Sequence, residues 1–179
     1  MLTRRLSVAL IALAIAGVAA IAAYADLSVG TKAPNFTLPT IDGKTFTLAD
    51  NFKAPGKVVV LDLWATWCPP CRAEIPHLIN LQSKFKNKRV TIVGVSLDRG
   101  KAEVVDFAKE QGINYIVAHD PNGEKVGRAY QVRGIPATYI IDKSGVIRYA
   151  HSGFPRDAAE AKRKAAEFEK QINTLLAQK

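Results

Sequence analysis

Apolar runs and helix-periodic segments follow one another along the chain, and their order predicts the secondary structure. Continuous β-branched or apolar runs are typical of buried strands, whereas apolar positions three and four apart are typical of helices. The pattern predicts strands at residues 58–64, 90–96, 115–118, 138–141 and 146–150. It predicts helices after residue 71 and at residues 101–111, 124–130 and 158–177. The last helix has its apolar residues at core spacing, and we interpret its lysines as a solvated face.

Turn sequences complete the arrangement. Asp42-Gly43 lies between two short alternating stretches and predicts an N-terminal β-hairpin, and residues 142–145 predict a second hairpin. The predicted order is a β-hairpin, then β-α-β-α-β-α, then β-β-α. This order predicts an α/β fold in which a mixed central sheet is flanked by helices on both faces.

The N-terminal segment carries an export signature. Arg4 and Arg5 precede an apolar run from Leu6 to Ala23, and Ala23-Tyr24-Ala25 fits a small-x-small cleavage site. The run also approaches the ~20 residues that span a bilayer. Residues 1–25 are therefore either a cleaved signal peptide or an N-terminal membrane anchor, which we expect to involve residues 6–25. Residues 26–179 form the remaining domain, which both interpretations place in the periplasm or on the extracytoplasmic face of the inner membrane.

The net charge does not indicate a nucleic-acid partner. The chain carries +9, and without Arg4 and Arg5 it has 23 basic and 16 acidic residues. Because no run of basic residues is interleaved with aromatics, we interpret this excess as a solvated basic surface rather than a nucleic-acid site.

The chemistry of the chain is concentrated at its two cysteines, Cys68 and Cys71. They stand between the predicted strand 58–64 and a predicted helix. A helix N-terminus stabilises a thiolate, so we expect Cys68 to be the exposed nucleophile and Cys71 the buried resolving thiol. A disulfide that closes so short a loop stabilises little, which favours a redox role over a structural one. The prolines between them, Pro69 and Pro70, donate no N–H, so Cys71 must supply the first one.

Several segments together resemble the thioredoxin superfamily, and more narrowly the exported TlpA/ResA-like thiol–disulfide oxidoreductases. The similarity lies in residues 63–76 (LWATWCPPCRAEIP), 33–38 with 42–44, 94–98, and 134–138 with 141–145. It implies a thioredoxin-like fold with a redox-active disulfide and no cofactor.

The resemblance also implies site residues. Asp62 matches the buried acid of thioredoxins that helps to deprotonate the resolving cysteine, and Glu74 matches the active-site glutamate of ResA-like proteins. Alternatives remain: Asp62 satisfied by local hydrogen bonds, and Glu74 stabilising the helix dipole. Pro136 matches the superfamily's cis-proline, whose loop faces the dithiol. The predicted substrate-binding residues are Trp67, Pro69, Pro70, Gly134, Ile135 and Pro136. Trp67 could equally be a half-buried aromatic residue.

The function expected from the resemblance is reduction of disulfides in exported proteins. Apocytochrome c or a copper-site protein would be the substrate, and a membrane thiol donor would supply electrons. Ala137 stands where the cytochrome-maturation subgroup commonly has Glu, which disfavours that branch. The absence of a histidine between the cysteines predicts a mildly reducing couple.

Other functions are less well supported. The alternative from another class is a copper chaperone with the same dithiol as ligands. We expect no metal site at the three histidines, which lack ligand spacing. A peroxiredoxin would need Thr at the position of Ala65.

Overall fold

The N-terminal hairpin precedes the main sheet. In this computed structural model, residues 27–178 are described, and the signal or anchor predicted at residues 1–25 lies outside them. Strand β1 (Thr37–Pro39) pairs antiparallel with β2 (Thr45–Thr47). Gly43 has φ +84° in the connecting turn, a conformation that favours glycine. The hairpin predicted from Asp42-Gly43 is therefore confirmed.

The five-stranded central sheet confirms the predicted fold class. Its strands are β3 (Val58–Trp64), β4 (Val90–Ser96), β5 (Ile116–His119), β6 (Ala137–Ile141) and β7 (Ile147–Ser152). The order is β5-β4-β3-β6-β7, with β3, β4 and β5 parallel, β6 antiparallel to β3, and β7 antiparallel to β6. Strand β3 is central and buried along its whole length, because strands flank it on both sides and both of its faces are covered.

Helices cover the sheet unevenly. They are α1 (Pro69–Phe85), α2 (Lys101–Glu110), α3 (Val126–Ala129) and α4 (Ala158–Ala177), with short 3₁₀ helices at Leu48–Phe52 and Pro121–Gly123. Residues of α1, α2 and α4 share one apolar cluster with the alternate β3 residues Val58, Val60 and Trp64. The hairpin and α3 lie against the opposite face, where Leu61 and Leu63 point.

Several predicted boundaries were wrong, and β6, β7 and α2 each differ from the prediction by one or two residues. Strand β5 begins and ends one residue later than expected, at Ile116–His119. The helix expected at residues 124–130 is only Val126–Ala129, because the buried carboxylate of Asp120 accepts hydrogen bonds from the backbone N–H groups of Lys125 and Val126. Within residues 27–178, no helix combines the length and apolar character needed to cross a bilayer.

Candidate active site

The two cysteines form a disulfide at the start of α1. The Cα atoms of Cys68 and Cys71 lie 5.3 Å apart. Cys68 is the N-cap residue, and its Sγ accepts a hydrogen bond from the Cys71 N–H at 3.2 Å. Pro69 and Pro70 occupy the first helical positions. The expected contact between the Cys71 N–H and the Cys68 sulfur is therefore present, and its effect on the Cys68 thiolate stays a prediction.

The expected exposure of Cys68 was wrong for this oxidised form. Cys68 is 3% exposed and Cys71 is 1% exposed, and both belong to the apolar cluster beneath α1. The Sγ of Cys68 lies 3.6 Å from the carbonyl oxygen of Ile135. This contact lies at the end of the neighbouring strands β3 and β6 and comes from a residue distant in sequence, so the position at the helix N-terminus alone could not reveal it.

The loop that precedes β6 forms the wall opposite the disulfide. Its Ile135–Pro136 peptide bond is cis, which confirms the expectation for Pro136. Gly134 is exposed, Ile135 is half-buried and Pro136 is buried. The carbonyl of Pro136 accepts a hydrogen bond from the Gly153 N–H at 2.8 Å, which ties the loop to the end of β7.

The remaining predicted substrate-binding residues flank the cysteines on the other side. Trp67 is 67% exposed, so the interpretation as a half-buried aromatic residue was wrong. Pro69 is exposed and Pro70 is half-buried. Trp67, Gly134 and Ile135 line one open groove. The structure therefore brings together residues from the two loops on either side of the disulfide.

Asp62 lies in the interior, on the central strand that leads to the disulfide. It is 1% exposed on β3, where it stands opposite Gly94 of β4 and Thr138 of β6. Its Oδ1 has no hydrogen-bond partner among the described residues, which argues against the alternative of a locally satisfied acid. Burial, and then the nearby Glu74, raise the pKa of Asp62 well above its usual range.

Glu74 approaches the same place from the helix. It follows Cys71 by three residues on α1, so both side chains lie on the buried face. Glu74 is fully buried, and its Oε1 accepts a hydrogen bond from the Thr138 hydroxyl at 2.8 Å. Burial raises the pKa of Glu74 to about 7, although Thr138 and the positive charge of Lys164 act in the opposite direction. A carboxyl held this way does not fit the alternative of a helix-dipole contact.

Sequence reasoning missed two neighbours of these acids. Thr138 belonged to a quoted motif but received no role, and Tyr115 was assigned only to a strand. Burial, followed by the negative charges of Asp62 and Glu74, raises the pKa of Tyr115 well above its ordinary value. The buried polar atoms that lack a hydrogen-bond partner in the described residues are Asp62 Oδ1, Trp64 Nε1, Glu74 Oε2 and Tyr115 OH. A tyrosine at the start of a predicted apolar strand was the available signal, because a tyrosine hydroxyl that becomes buried needs a polar neighbour.

Gly94 makes room for these aromatic residues. A Cβ built at Gly94 would lie 2.7 Å from Trp64 Nε1 and 3.1 Å from Tyr115 Cε2. A glycine on β4, next to Asp62 across the sheet, therefore allows both rings to pack beside the acid.

The histidines have structural contacts. His119 Nε2 lies 2.9 Å from the Asp98 carbonyl oxygen, His151 contacts Gln171 and Lys164, and the His77 ring packs against Phe154. No group of three or more potential metal-ligating His, Cys, Asp or Glu side chains occurs in residues 27–178.

Residues 29–150 match the model of the AhpC/TSA family, which is more than half of the chain. The chain belongs to the AhpC/TSA family. Among curated members, it is 42% identical over 123 residues to the thiol-disulfide oxidoreductase ResA of Oceanobacillus iheyensis, covering 66% of this chain and 62% of that protein. It is 38% identical over 122 residues to ResA of Bacillus subtilis, covering 68% and 66%.

A solved structure extends this similarity to the fold. A Chlorobium tepidum protein assigned as the thiol:disulfide interchange protein DsbE superposes with a TM-score of 0.75 at 35% identity. The match covers 84% of this chain and 99% of that one. The fold is thus thioredoxin-like, and the similar proteins are thiol–disulfide oxidoreductases, although the chain spans less than two thirds of the Oceanobacillus relative.

Proposed function

We propose that this protein is a thiol–disulfide oxidoreductase that reduces disulfides of exported proteins. The observation that carries the proposal is the disulfide between Cys68 and Cys71 at the N-terminus of α1, with the Ile135 carbonyl 3.6 Å from the first sulfur. Similarity to the ResA proteins supports the same activity.

The reaction transfers two electrons in two exchange steps. In the reduced protein, the Cys68 thiolate attacks a partner disulfide, so a Cys68–partner S–S bond forms and the partner's own S–S bond breaks. The sulfur that leaves takes the electron pair and then a proton. The Cys71 thiolate next attacks Cys68, which releases the second partner thiolate. The partner gains two electrons and two protons, and the protein ends in the disulfide form.

In this scheme the N-terminus of α1 stabilises the Cys68 thiolate, and the two buried acids accept the proton of Cys71. The Cys71 N–H stabilises charge on the Cys68 sulfur, so Cys68 is the group that attacks and leaves. Asp62, on the strand that precedes the dithiol, and Glu74, one helical turn after Cys71, are buried and have raised pKa values. A raised pKa suits this pair to accept the proton of Cys71 near neutral pH. Because the two acids interact, they titrate as a pair.

The location and the partners complete the proposal. Residues 1–25 act as a signal peptide or anchor, and residues 26–179 form the thioredoxin-like domain outside the cytoplasm. Its substrates are exported proteins, such as an apocytochrome c or a copper-site protein, and a membrane thiol donor returns it to the dithiol form. Ala137 stands where the cytochrome-maturation subgroup commonly has Glu, and this difference disfavours an apocytochrome c substrate.

A trapping experiment tests the exchange mechanism. In Cys71→Ala, Cys68 attacks its partner but nothing resolves the product, so a stable mixed disulfide accumulates in the native host. The double variant Cys68→Ala/Cys71→Ala is the control, since it has no nucleophile. Mixed disulfides that are absent from Cys71→Ala, or equally abundant in both variants, would contradict the mechanism. Stoichiometric copper in anaerobically purified protein would instead favour the chaperone function.

A further inference from the structure

A row of polar side chains crosses the helix-covered face of the central sheet. Asp62 of β3 stands opposite Thr138 of β6, and Thr138 stands opposite His151 of β7. Directly opposed residues in neighbouring strands point to the same face. Asp62 lies two residues from Val60 and Trp64, which belong to the apolar cluster shared with α1, α2 and α4, so the row faces these helices. Because β7 is the last strand of the sheet, the row connects the buried acid to the sheet's edge.

Lys164 of α4 covers the outer end of this row. Its Nζ donates a hydrogen bond to His151 Nδ1 at 2.9 Å and lies 3.0 Å from Glu167 Oε2. The ammonium also lies 5.7 Å from the centre of the Phe168 ring. The Lys164 side chain is only 24% exposed, although lysine is mostly an exposed residue. Three contacts therefore hold this positive charge against the sheet rather than in solvent.

The ring of His151 is set up to accept this hydrogen bond. An ammonium only donates, so Nδ1 is the acceptor and Nε2 carries the proton that is donated to Gln171 Oε1 at 2.9 Å. Burial lowers the pKa of His151; Gln171 and the charge of Glu167 oppose this effect, and the charge of Lys164 adds to it. His151 is therefore neutral at pH 7 and keeps its acceptor for Lys164.

The inner end of the row meets Glu74. The Thr138 hydroxyl donates to Glu74 Oε1 at 2.8 Å, whereas Oε2 has no hydrogen-bond partner among the described residues and is the oxygen open to a proton. Burial raises the pKa of Glu74 to about 7, and Thr138 and then the positive charge of Lys164 oppose this effect. The other titratable groups that interact with Glu74 are Asp62 of β3 and Tyr115, which directly precedes β5. Lys164 is thus the cation that favours the Glu74 carboxylate.

We propose that Lys164, held in place by His151, is a positioning residue that keeps Glu74 ionised and ready to take the proton of Cys71. The proton moves from Cys71 Sγ to Glu74 Oε2 and leaves the thiolate that attacks Cys68, while Lys164 itself neither gains nor loses a proton. Because the ammonium is largely withdrawn from solvent, its charge is screened less than that of an exposed lysine. The inference rests on the proposed function, since it assigns a group that acts on the acid pair of the same reaction.

The titration of Glu74 tests the electrostatic step without any exchange reaction. The carbon-13 chemical shift of the labelled carboxyls is followed in the oxidised full chain, and Glu74→Gln assigns the signal. Lys164→Met removes the charge but keeps an unbranched side chain beside Phe168. The midpoint of the Glu74 titration should rise by about half a pH unit, the effect of one partly screened charge. Lys164→Arg retains the charge and should stay close to the wild type.

Two further variants localise the effect. His151→Leu removes the acceptor that holds Lys164, so it should raise the Glu74 midpoint in the same direction but by less than Lys164→Met. An unchanged midpoint in His151→Leu would contradict the role of His151. Lys162→Gln is the matched control, because it removes an exposed lysine of the same helix. It should leave the Glu74 midpoint unchanged, and circular dichroism checks that every variant is folded.

The pH profile of exchange tests the consequence for the reaction. The second-order rate constant of the reduced full chain with a protein disulfide is measured by stopped flow. Half a pH unit changes the ionised fraction of Glu74 about threefold, so Lys164→Met should be about threefold slower below about pH 6.5 and approach the wild type above about pH 8. Lys164→Arg and Lys162→Gln should keep the wild-type profile.

Four results would overturn the role of Lys164. They are an unchanged Glu74 titration in Lys164→Met, an equal rise in Lys164→Arg, an equal rise in Lys162→Gln, and a titration that moves while the exchange profile does not. An equal rise in Lys164→Arg would show that packing matters rather than charge, and one in Lys162→Gln would indicate long-range charge alone.

The two readouts separate this role from the proposed function. If the wild type reduces no protein disulfide while the Glu74 titration still follows Lys164, the proposed function fails and the electrostatic contact stands. If exchange proceeds while the titration ignores Lys164, only the role of Lys164 fails.

Discussion

The Thr138 hydroxyl donates a hydrogen bond to Glu74 Oε1 at 2.8 Å, from a strand position directly opposite Asp62. Thr138 of β6 thus links the Glu74 carboxyl of α1 to the strand that pairs with β3, which carries Asp62. The bond favours the ionised form of Glu74, against the effect of burial.

Thr138→Val should raise the pKa of Glu74 further above about 7. A hydrogen bond to a charged group contributes about 1.5 kcal/mol, which corresponds to about 1 pKa unit. The carbon-13 chemical shift of the labelled Glu74 carboxyl reports this titration in the oxidised protein. Thr91→Val is the control, since it removes a buried hydroxyl that donates to Asn51 rather than to the acid pair. An unchanged Glu74 titration in Thr138→Val would contradict the contact.

Glu74→Gln should slow disulfide exchange and flatten its pH profile near pH 7, because the amide cannot accept the proton of Cys71. General acid–base groups contribute about 100-fold or more, so we expect a loss of at least about tenfold. Stopped-flow measurement against a protein disulfide from pH 5 to about pH 9 checks it. Glu110→Gln, at the exposed end of α2, should retain the wild-type profile. A wild-type rate and profile in Glu74→Gln would refute the proposed role.

Asp62→Asn should stabilise the oxidised protein at neutral pH. The folded-state pKa of Asp62 is raised, so the folded protein keeps a proton that the unfolded chain releases, and stability decreases as pH rises through this window. Asparagine removes that decrease, and each pKa unit of elevation corresponds to about 1.4 kcal/mol. Urea unfolding at several pH values measures the difference, which should vanish in acid.

The exposed Asp106→Asn on α2 is the control for this experiment. It removes a carboxyl charge without relieving a buried one, so its stability curve should run parallel to that of the wild type. A parallel curve for Asp62→Asn as well would show that Asp62 carries no raised pKa.

Gly94→Ala should destabilise the protein by about 1–3 kcal/mol, because overpacking a filled core displaces its neighbours. The added Cβ would lie 2.7 Å from Trp64 Nε1. Gly127→Ala on α3 is the matched control, since its Cβ would meet no heavy atom within 4 Å. It should be neutral or stabilise the helix by up to about 1 kcal/mol. Equal free energies of unfolding for the two variants would disprove the close packing at Gly94.

Pro70→His should make the couple more oxidising. A histidine in the spacer adds positive charge near the Cys68 thiolate and stabilises the reduced form. We expect the reduction potential to rise by about 30 mV, a tenfold change in the equilibrium with glutathione. Pro70→Gln controls for the loss of the proline. The wild-type potential should lie well below the about −120 mV of a strong oxidant, and a value near it would contradict the reducing role.

Much of the fold could be read from local pattern. Strands β3 and β4 and helix α4 have the bounds that periodicity predicted, because apolar runs and helical spacing are local properties of the chain. The Cys68 N-cap followed from its place between a strand and two prolines. The hairpin followed from Asp42-Gly43.

The sequence by itself thus determined the dithiol, the helix that carries it and the alternation of strands and helices. Only the tertiary structure decided what surrounds the sulfurs and the acids. Ile135 is 67 residues from Cys68, and Thr138 is 64 residues from Glu74. Those contacts depend on the insertion of β6 beside β3, which no local period encodes. The same packing buries Cys68, leaves Trp67 exposed and raises the pKa of Glu74, because burial depends on all the layers that cover a residue.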